Sequence, residues 1–210
     1  LGVSRFWEFR IHAGDLVGSG FSLPGQLFIG LGHNENVAWA MTTGGPDTAD
    51  VYEETLKEDD PSKYLYDGQW RSLKTRKVTI KVKDSDPVEA PIYESHHGPI
   101  GAVQNGKAYA IKSSYFDSLD GNDAWLAFNF AKDYTGIKKG MATLQVFPQN
   151  VMVADTSGNI YYQRTGRVPK RPDGYDWSKP VDGSTSKTEW LGLHPADDHL
   201  QVLNPPQGYM

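Results

Sequence analysis

Asp47-Thr48-Ala49-Asp50 follows Gly44-Gly45-Pro46 at the end of an apolar segment. Two carboxylates three residues apart in a glycine-containing bend, with backbone carbonyls between them, suit a hard, oxygen-seeking cation such as Ca²⁺. The same spacing serves Asx-turn capping, which the residue types taken alone favour. Asp155-Thr156-Ser157-Gly158-Asn159 joins two apolar segments and reads as a hairpin turn before a calcium loop. His96 and His97 are adjacent, and no histidine pair has the spacing of a zinc helix. Neighbouring strand residues point to opposite faces, so one of the pair is expected in water and the other packed. Gly30-Leu31-Gly32 hints at a dinucleotide loop, but Glu35 stands at the third glycine position and a strand, not a helix, follows. Ser22 in Gly20-Phe21-Ser22-Leu23-Pro24 fails the nucleophile-elbow pattern at its last position. The absence of cysteine excludes a thiol nucleophile, a disulfide scaffold and a zinc ribbon. Spacing alone assembles no trio of nucleophile, base and orienting acid.

The elements that must position these groups are mostly strands. Twenty-two glycines, thirteen prolines and 12% aromatic residues favour strands joined by tight turns. Alternation predicts a strand over Phe6 to His12, a short apolar strand at Leu27-Phe28-Ile29, and another over Asn36 to Thr42, entered through turn residues at His33 to Asn36. An Asp67-Gly68 turn predicts a hairpin between Tyr64-Leu65-Tyr66 and Gln69-Trp70-Arg71. Lys77 to Lys83 alternates, with Val78, Ile80 and Val82 expected to face inward. Further strands are expected at Ile92 to Glu94, Ala108 to Lys112, Val151 to Ala154 and Ile160 to Arg164. Helix is scarce: one is expected from an Asp123 cap through Trp125 and Phe128 to Ala131, and a second from a Thr135 cap through Ile137, Met141 and Leu144. From Pro169 onward the chain is polar and punctuated by Pro and Gly, with Trp177, Trp190 and Tyr209 expected to pack against the body.

The 210 residues can bury a full core, and with 38% hydrophobic and 22% charged residues the chain reads as globular, without an apolar run approaching a membrane span. A net charge of -5 argues against a nucleic-acid partner, which needs a basic face. Leu1 is not an initiator, and the sequence stops at Gly208-Tyr209-Met210 without a polar tail, so a piece of a longer protein is expected.

Gly32-His33-Asn34-Glu35-Asn36-Val37-Ala38-Trp39-Ala40-Met41-Thr42-Thr43 resembles the "GHN…AWG.T" signature of the penicillin acylase family. The following Asp47 to Glu54 resembles that family's "D..D.(Y/F).E" continuation. Tyr64 to Trp70, His97-Gly98-Pro99, Asn150 with Ala154-Asp155, Gly158-Asn159-Ile160, Gly166, Pro169 with Arg171, Glu189-Trp190 with Gly192, and Asn204-Pro205 with Gly208-Tyr209 match in the family's order. Each match is short, but the succession covers nearly the whole chain and is specific.

The resemblance implies an α+β fold of N-terminal nucleophile hydrolases, an αββα sandwich of antiparallel sheets present here in part, interrupted by a small all-β insertion. On that basis residues 1–46 and 116–210 are expected to form the partial sheet core with a long C-terminal excursion, and residues 47–115 the insertion. The implied chemistry is hydrolysis of a linear N-acyl amide by a serine at the N-terminus of the family's larger chain, with its own α-amine as base. That serine maps upstream of Leu1, so this piece alone is expected to be inactive. The family's backbone oxyanion donor maps onto the N–H of Thr43, and its side-chain donor beyond Met210. Its acyl pocket maps onto Leu1, Leu31, Met41 and Gln149, where aliphatic side chains point as readily to an aliphatic acyl group as to phenylacetyl. Its calcium site maps onto Asp47, Ala49, Asp50 and Trp177, which turns the earlier balance towards calcium. The partners implied are the missing α chain and flanking β-chain segments, and the compartment implied is periplasmic or secreted. The rival expectation is a non-catalytic, calcium-stabilised β-rich binding module.

Overall fold

The computed structural model describes residues 6–26, 28–118 and 120–209. In chain order its elements begin with strands β1 (Trp7–Ala13), β2 (Leu16–Ser22), β3 (Leu31–Asn34), β4 (Val37–Thr43), β5 (Ala49–Lys57) and β6 (Asp60–Tyr66). There follow β7 (Gln69–Ser72), β8 (Lys74–Ile80), β9 (Val88–Glu94), β10 (Ile100–Gln104) and β11 (Lys107–Ser113). Helices α1 (Gly121–Asn129) and α2 (Tyr134–Ala142) precede β12 (Gln149–Asp155), β13 (Ile160–Arg164), β14 (Val181–Asp182) and β15 (Gln201–Leu203). The chain divides into two units, one comprising residues up to Thr48, Asp117–Val168 and Leu193 onward, the other Ala49–Phe116 and Pro169–Gly192.

The first unit is a seven-stranded sheet in the order β1-β2-β3-β4-β12-β13-β15. Every neighbouring pair is antiparallel. Alternation sends Val37 and Trp39 of β4, Val151 and Val153 of β12, and Tyr161 of β13 to one face, where they bury against Trp125, Phe128, Ile137 and Met141 of the two helices. Trp39 meets Phe128 edge-to-face at 6.4 Å between ring centroids, and Phe28 stacks on Trp125 at 5.2 Å.

Two asparagines tie sheet to helix. Asn129 accepts the Ile29 N–H at 2.7 Å and donates to the Ile29 carbonyl at 3.0 Å and to the Trp125 carbonyl at 2.9 Å. This explains why Phe28 and Ile29, expected in a short apolar strand, are not in one. Phe28 and Ile29 lie in a buried bend whose polar backbone is satisfied by a side chain rather than by a neighbouring strand, and Leu27 lies outside the described residues. Asn34 donates to the carbonyls of Asn129, the last residue of α1, and Ala131 just after it, and accepts the N–H groups of Asn36 and Val37. Gly32 cannot be replaced: it sits at φ 156° and an added Cβ would lie 2.2 Å from the Ser19 carbonyl oxygen.

The helix starts differ from expectation. Asp123 lies within the first turn of α1, whose N-cap position, Asp120, makes no side-chain cap bond. Asp133, not Thr135, caps α2, accepting from the N–H groups of Thr135 and Gly136. The helix also stops before Leu144, which sits at φ 56°.

The second unit is a sheet in the order β10-β11-β5-β6-β7, with β14 parallel to β5, and a separate ribbon of β8 and β9. The expected boundary is corrected here. Residues 169–192, read from sequence as part of an excursion from the core, supply β14 to this unit. They also give the Thr188 carbonyl to the Tyr52 hydroxyl at 2.9 Å. The expected inward face is not buried as a whole: Val78 is half-buried, but Ile80 is 51% exposed and Val82, past the end of β8, is 42% exposed. A two-stranded ribbon has no second layer to cover both faces. Trp177 and Trp190 pack within this unit, whereas Tyr209 is 71% exposed.

Removal of the Asn34 amide strands two hairpin N–H groups and two carbonyls. Asn34→Ala is expected to cost about 2–3 kcal/mol in urea-unfolding free energy, whereas Glu35→Ala beside it changes stability by less than about 0.5 kcal/mol.

Candidate functional site

The C-terminal end of β4 carries the first group of candidates. Thr43 pairs with Gln149 and Met41 with Val151, so Met41, Thr43 and Gln149 lie on one face of the sheet at one end. Met41 packs against the helix-side core. Gly44 follows, its N–H donating to the Pro148 carbonyl at 2.9 Å, and Gln149 is fixed from both sides through Thr165. Leu31 falls on the opposite face: Gly32 pairs with core-facing Trp39, and Leu31 pairs with exposed Phe21. Leu1 lies outside the described residues.

Of the calcium candidates, Asp47 is exposed at the end of the first unit's first segment, and Ala49 opens β5. Asp50 is buried, and its Oδ2 accepts from Arg171 Nε at 2.8 Å and Trp190 Nε1 at 2.7 Å. Its Oδ1 is buried without a hydrogen-bond partner. Trp177 donates its indole N–H to the Pro172 carbonyl, and the Arg171 guanidinium lies 5.7 Å from its ring centroid. The Asp155 carboxylate closes its own turn, accepting from the N–H groups of Ser157, Asn159 and Tyr134.

The densest arrangement of titratable groups lies in the second unit. Strand β5 turns Asp50, Tyr52 and Glu54 to its buried face. Between β9 and β10 the chain makes a tight turn in which the Ser95 hydroxyl accepts the His97 N–H at 3.1 Å. Because His96 and His97 sit in this turn and not on a strand, their rings lie together, 3.8 Å between centroids, instead of on opposite faces. His97, fully buried, donates Nδ1–H to Glu54 Oε1 at 2.7 Å and Nε2–H to Glu189 Oε1 at 2.9 Å. His96, which reaches solvent, places its Nδ1 3.0 Å from the Tyr64 hydroxyl and its Nε2 2.9 Å from the same Glu189 oxygen. Tyr66 also donates to that oxygen, and Lys112 Nζ holds Glu189 Oε2 at 2.8 Å. The Tyr52 ring stacks on His97 at 3.7 Å. Gly183 is required here: a Cβ would come within 2.5 Å of Glu54 Oε2.

An imidazole that donates from both nitrogens is an imidazolium. Burial pushes the His97 pKa down, but the hydrogen bonds and charges of Glu189 and Glu54 outweigh it and leave it raised. Burial would lift Glu189, yet the hydrogen bonds from His96, His97 and Lys112 hold it far below the usual carboxylate range. Burial, then the Glu189 and Asp50 charges, push the Tyr52 hydroxyl well above its ordinary value, so it stays protonated.

Glu54, His97 and Glu189 each fall inside a family-matched motif, yet their convergence was not read from sequence. The available signal was the period-two placement of Asp50, Tyr52 and Glu54, which puts two acids on the inner face of a strand.

The sign of the pH dependence follows from these shifts. His97 holds its proton more tightly folded than unfolded, so its contribution to stability is complete below its ordinary value of 6.5 and is lost as pH rises through the raised one. Glu189 contributes above its ordinary 4.5 and loses that contribution as pH falls through its depressed value. Urea-unfolding free energy measured against pH is expected to be highest between these limits. His97→Gln is expected to remove the alkaline decline and to lower the maximum by about 3–5 kcal/mol, because buried Glu54 loses its counter-charge and half-buried Glu189 loses part of its own.

Residues 2–210 match the penicillin amidase family. The chain is 32% identical over 195 residues to penicillin G acylase of Escherichia coli, an alignment covering 90% of this chain and 22% of that protein. It is 29% identical over 220 residues to acyl-homoserine lactone acylase QuiP of Pseudomonas fluorescens, covering 99% of this chain and 26% of that protein. Its fold matches thermostable penicillin G acylase from Alcaligenes faecalis with a TM-score of 0.92 at 29% identity, over 98% of this chain and 37% of that one. The chain thus spans about a quarter of the length of the curated relatives it matches. Its antiparallel, β-rich architecture with two helices is that of the penicillin acylase-type N-terminal nucleophile hydrolases, and the chain belongs to the penicillin amidase family.

Proposed function

We propose that the protein containing this chain is an acylase that removes the acyl group from a small linear N-acyl amide, such as a penicillin or an aliphatic acyl amide. The observation that carries this reading is the grouping of Thr43, Met41 and Gln149 at one end and on one face of a sheet in a chain matched to the family over residues 2–210. In this proposal a terminal serine hydroxyl attacks the amide carbonyl carbon while its α-amine takes the proton. The Thr43 N–H helps hold the oxyanion, the amine leaves with a proton returned from the α-amine, and water then releases the acid. Met41 and Gln149 border the acyl group, and the flexible methionine favours an aliphatic chain. The serine, the remaining oxyanion donor and Leu1's neighbours come from the rest of the protein, so the 210-residue chain alone is inactive. A periplasmic or secreted setting accords with this substrate class and with the lack of cysteine.

The whole protein should hydrolyse chromogenic phenylacetyl and medium-chain acyl amides, and the 210-residue chain should not. Thr43→Pro, which deletes the N–H, is expected to lower kcat of the whole protein by about 10²–10³-fold, while Thr43→Val, which keeps it, leaves kcat within a few-fold. Turnover unchanged by the proline would remove Thr43 from the mechanism. A whole protein inert towards every acyl amide would favour the binding module instead.

Calcium is part of the same proposal. The buried, unpartnered Oδ1 of Asp50 is an acceptor suited to a hard cation, and Asp47, the Ala49 carbonyl and the Trp177 carbonyl are the other oxygen donors assigned. Bound calcium would supply structural support and no chemistry. Calcium at about 100 times its Kd should stabilise the whole protein by about 2.7 kcal/mol over chelator-treated protein. Asp50→Asn should abolish that increment, and an unfolding midpoint indifferent to calcium would withdraw the assignment.

A further inference from the structure

We propose that His96, His97 and Glu189 form a binding site for a divalent transition-metal ion such as Zn²⁺. Both imidazoles turn Nε2 to one point, each 2.9 Å from Glu189 Oε1. Both are fixed from behind through Nδ1, His97 by the Glu54 carboxylate at 2.7 Å and His96 by the Tyr64 hydroxyl at 3.0 Å. A metal-bound histidine typically has this arrangement: one nitrogen on the ion, the other held by a carboxylate or hydroxyl that sets tautomer and ring angle. Two imidazoles and a carboxylate are the donor types that zinc takes in sites with an open position.

The dimensions allow it. Zinc–ligand bonds of about 2.0–2.1 Å in tetrahedral geometry separate ligand atoms by about 3.3 Å, so each imidazole nitrogen needs to move from Glu189 Oε1 by only about 0.4 Å. Glu54, already used by His97 through Oε1, has its other oxygen buried and without a hydrogen-bond donor. Glu54, His96 and His97 place ligand-type atoms within 4.8 Å of one another, with Glu54 on the far nitrogen of His97 and Glu189 supplying the carboxylate at the ion. Access is available, since the side chains of His96 and Glu189 are 27% and 26% exposed while His97 and Glu54 are wholly covered.

The proton balance is explicit. The ion replaces the His97 Nε2 proton, which is released to solvent, leaving a neutral imidazole whose Nδ1–H still donates to Glu54. On His96 the proton resides on Nδ1, facing Tyr64, so that Nε2 can coordinate. Tyr66 gives up its bond to Glu189 Oε1, and Lys112 keeps Glu189 Oε2. A water fills the fourth position. Metal and proton compete for one nitrogen, so affinity must rise with pH.

The test is a calorimetric titration of the protein with ZnCl₂, repeated with Co²⁺ while its visible ligand-field spectrum is followed. The expected result is one ion per chain, tighter by roughly 10-fold at about pH 8 than at about pH 6.5 as the His97 proton becomes easier to displace. A low-symmetry Co²⁺ spectrum and two imidazoles in the zinc X-ray absorption first shell are expected with it. His96→Gln, at the exposed rim where folding should survive, and Glu189→Gln should each abolish stoichiometric binding, and Glu54→Gln should weaken it about 10–100-fold. Circular dichroism and urea midpoints establish that each variant is folded. Absence of binding at about pH 8, or stoichiometric binding that survives in folded His96→Gln, overturns the assignment.

Discussion

A fully buried imidazolium bridging two carboxylates is the constraint on which the second unit depends. Transfer of any one of Glu54, His97 and Glu189 from water would cost several kcal/mol, which the others offset, with Lys112 and His96 adding to the balance at Glu189. The demand propagates outward. Glu54 must come from an inward position of β5, and His97 from a turn tight enough to present both ring nitrogens. Glu189 must come from residues 169–192, far along the chain. The pairing of β14 with β5, the Tyr52 hydroxyl on the Thr188 carbonyl and the bare Cα of Gly183 against Glu54 bring that late segment to the carboxylate position. An ion triad of this kind is weak evidence of high stability, since a well-packed apolar set can do as well. What it supplies is specificity: three segments distant in sequence have one arrangement in which no charge is left alone.

The first unit solves a different problem with neutral groups. Its sheet leaves the bend before β3 and the carbonyls at the end of α1 to side-chain partners, and Asn129 and Asn34 meet them from opposite sides. An amide side chain carries donor and acceptor together, so one residue satisfies an N–H and a C=O that no strand reaches. The asparagine of the Gly-His-Asn run is therefore explained by scaffolding. So is Trp39, whose indole N–H donates to the Gly30 carbonyl while its ring packs on Phe128. The recognisable part of the motif holds the frame, and Thr43 lies at its far end, where the frame stops.

Strands with one wet face were legible in the sequence because period two survives whenever one side is buried; β4, β6 and β13 are of this kind. The failures have physical causes. Phe28 and Ile29 have strand composition but a side-chain partner for their backbone, which no local pattern reveals. Val78 to Val82 alternates as a core strand does but has no second layer to meet. Asp133 outcompetes Thr135 as a cap because its carboxylate reaches two N–H groups of the first turn. The acid–histidine cluster was illegible for a stronger reason: its members lie 43 and 92 residues apart in the chain, and spacing arguments see only neighbours on one element.

The same distinction separates the two kinds of acid that the family pattern places together. Asp50 and Glu54 share the inner face of β5, and each keeps one oxygen buried and unpartnered. Asp50 is countered by a guanidinium and an indole N–H, donors with no proton to lose near neutral pH, so its environment is insensitive to pH there. Glu54 is countered by an imidazolium, the cation whose charge varies near neutrality. One strand face therefore carries a fixed anchor and a titratable one two turns of the pleat apart. If a soft ion and a hard ion both bind this unit, donor chemistry sorts them. Imidazole nitrogens occur only at the Glu54 end, while the Asp50 end offers oxygen alone, so neither ion should displace the other.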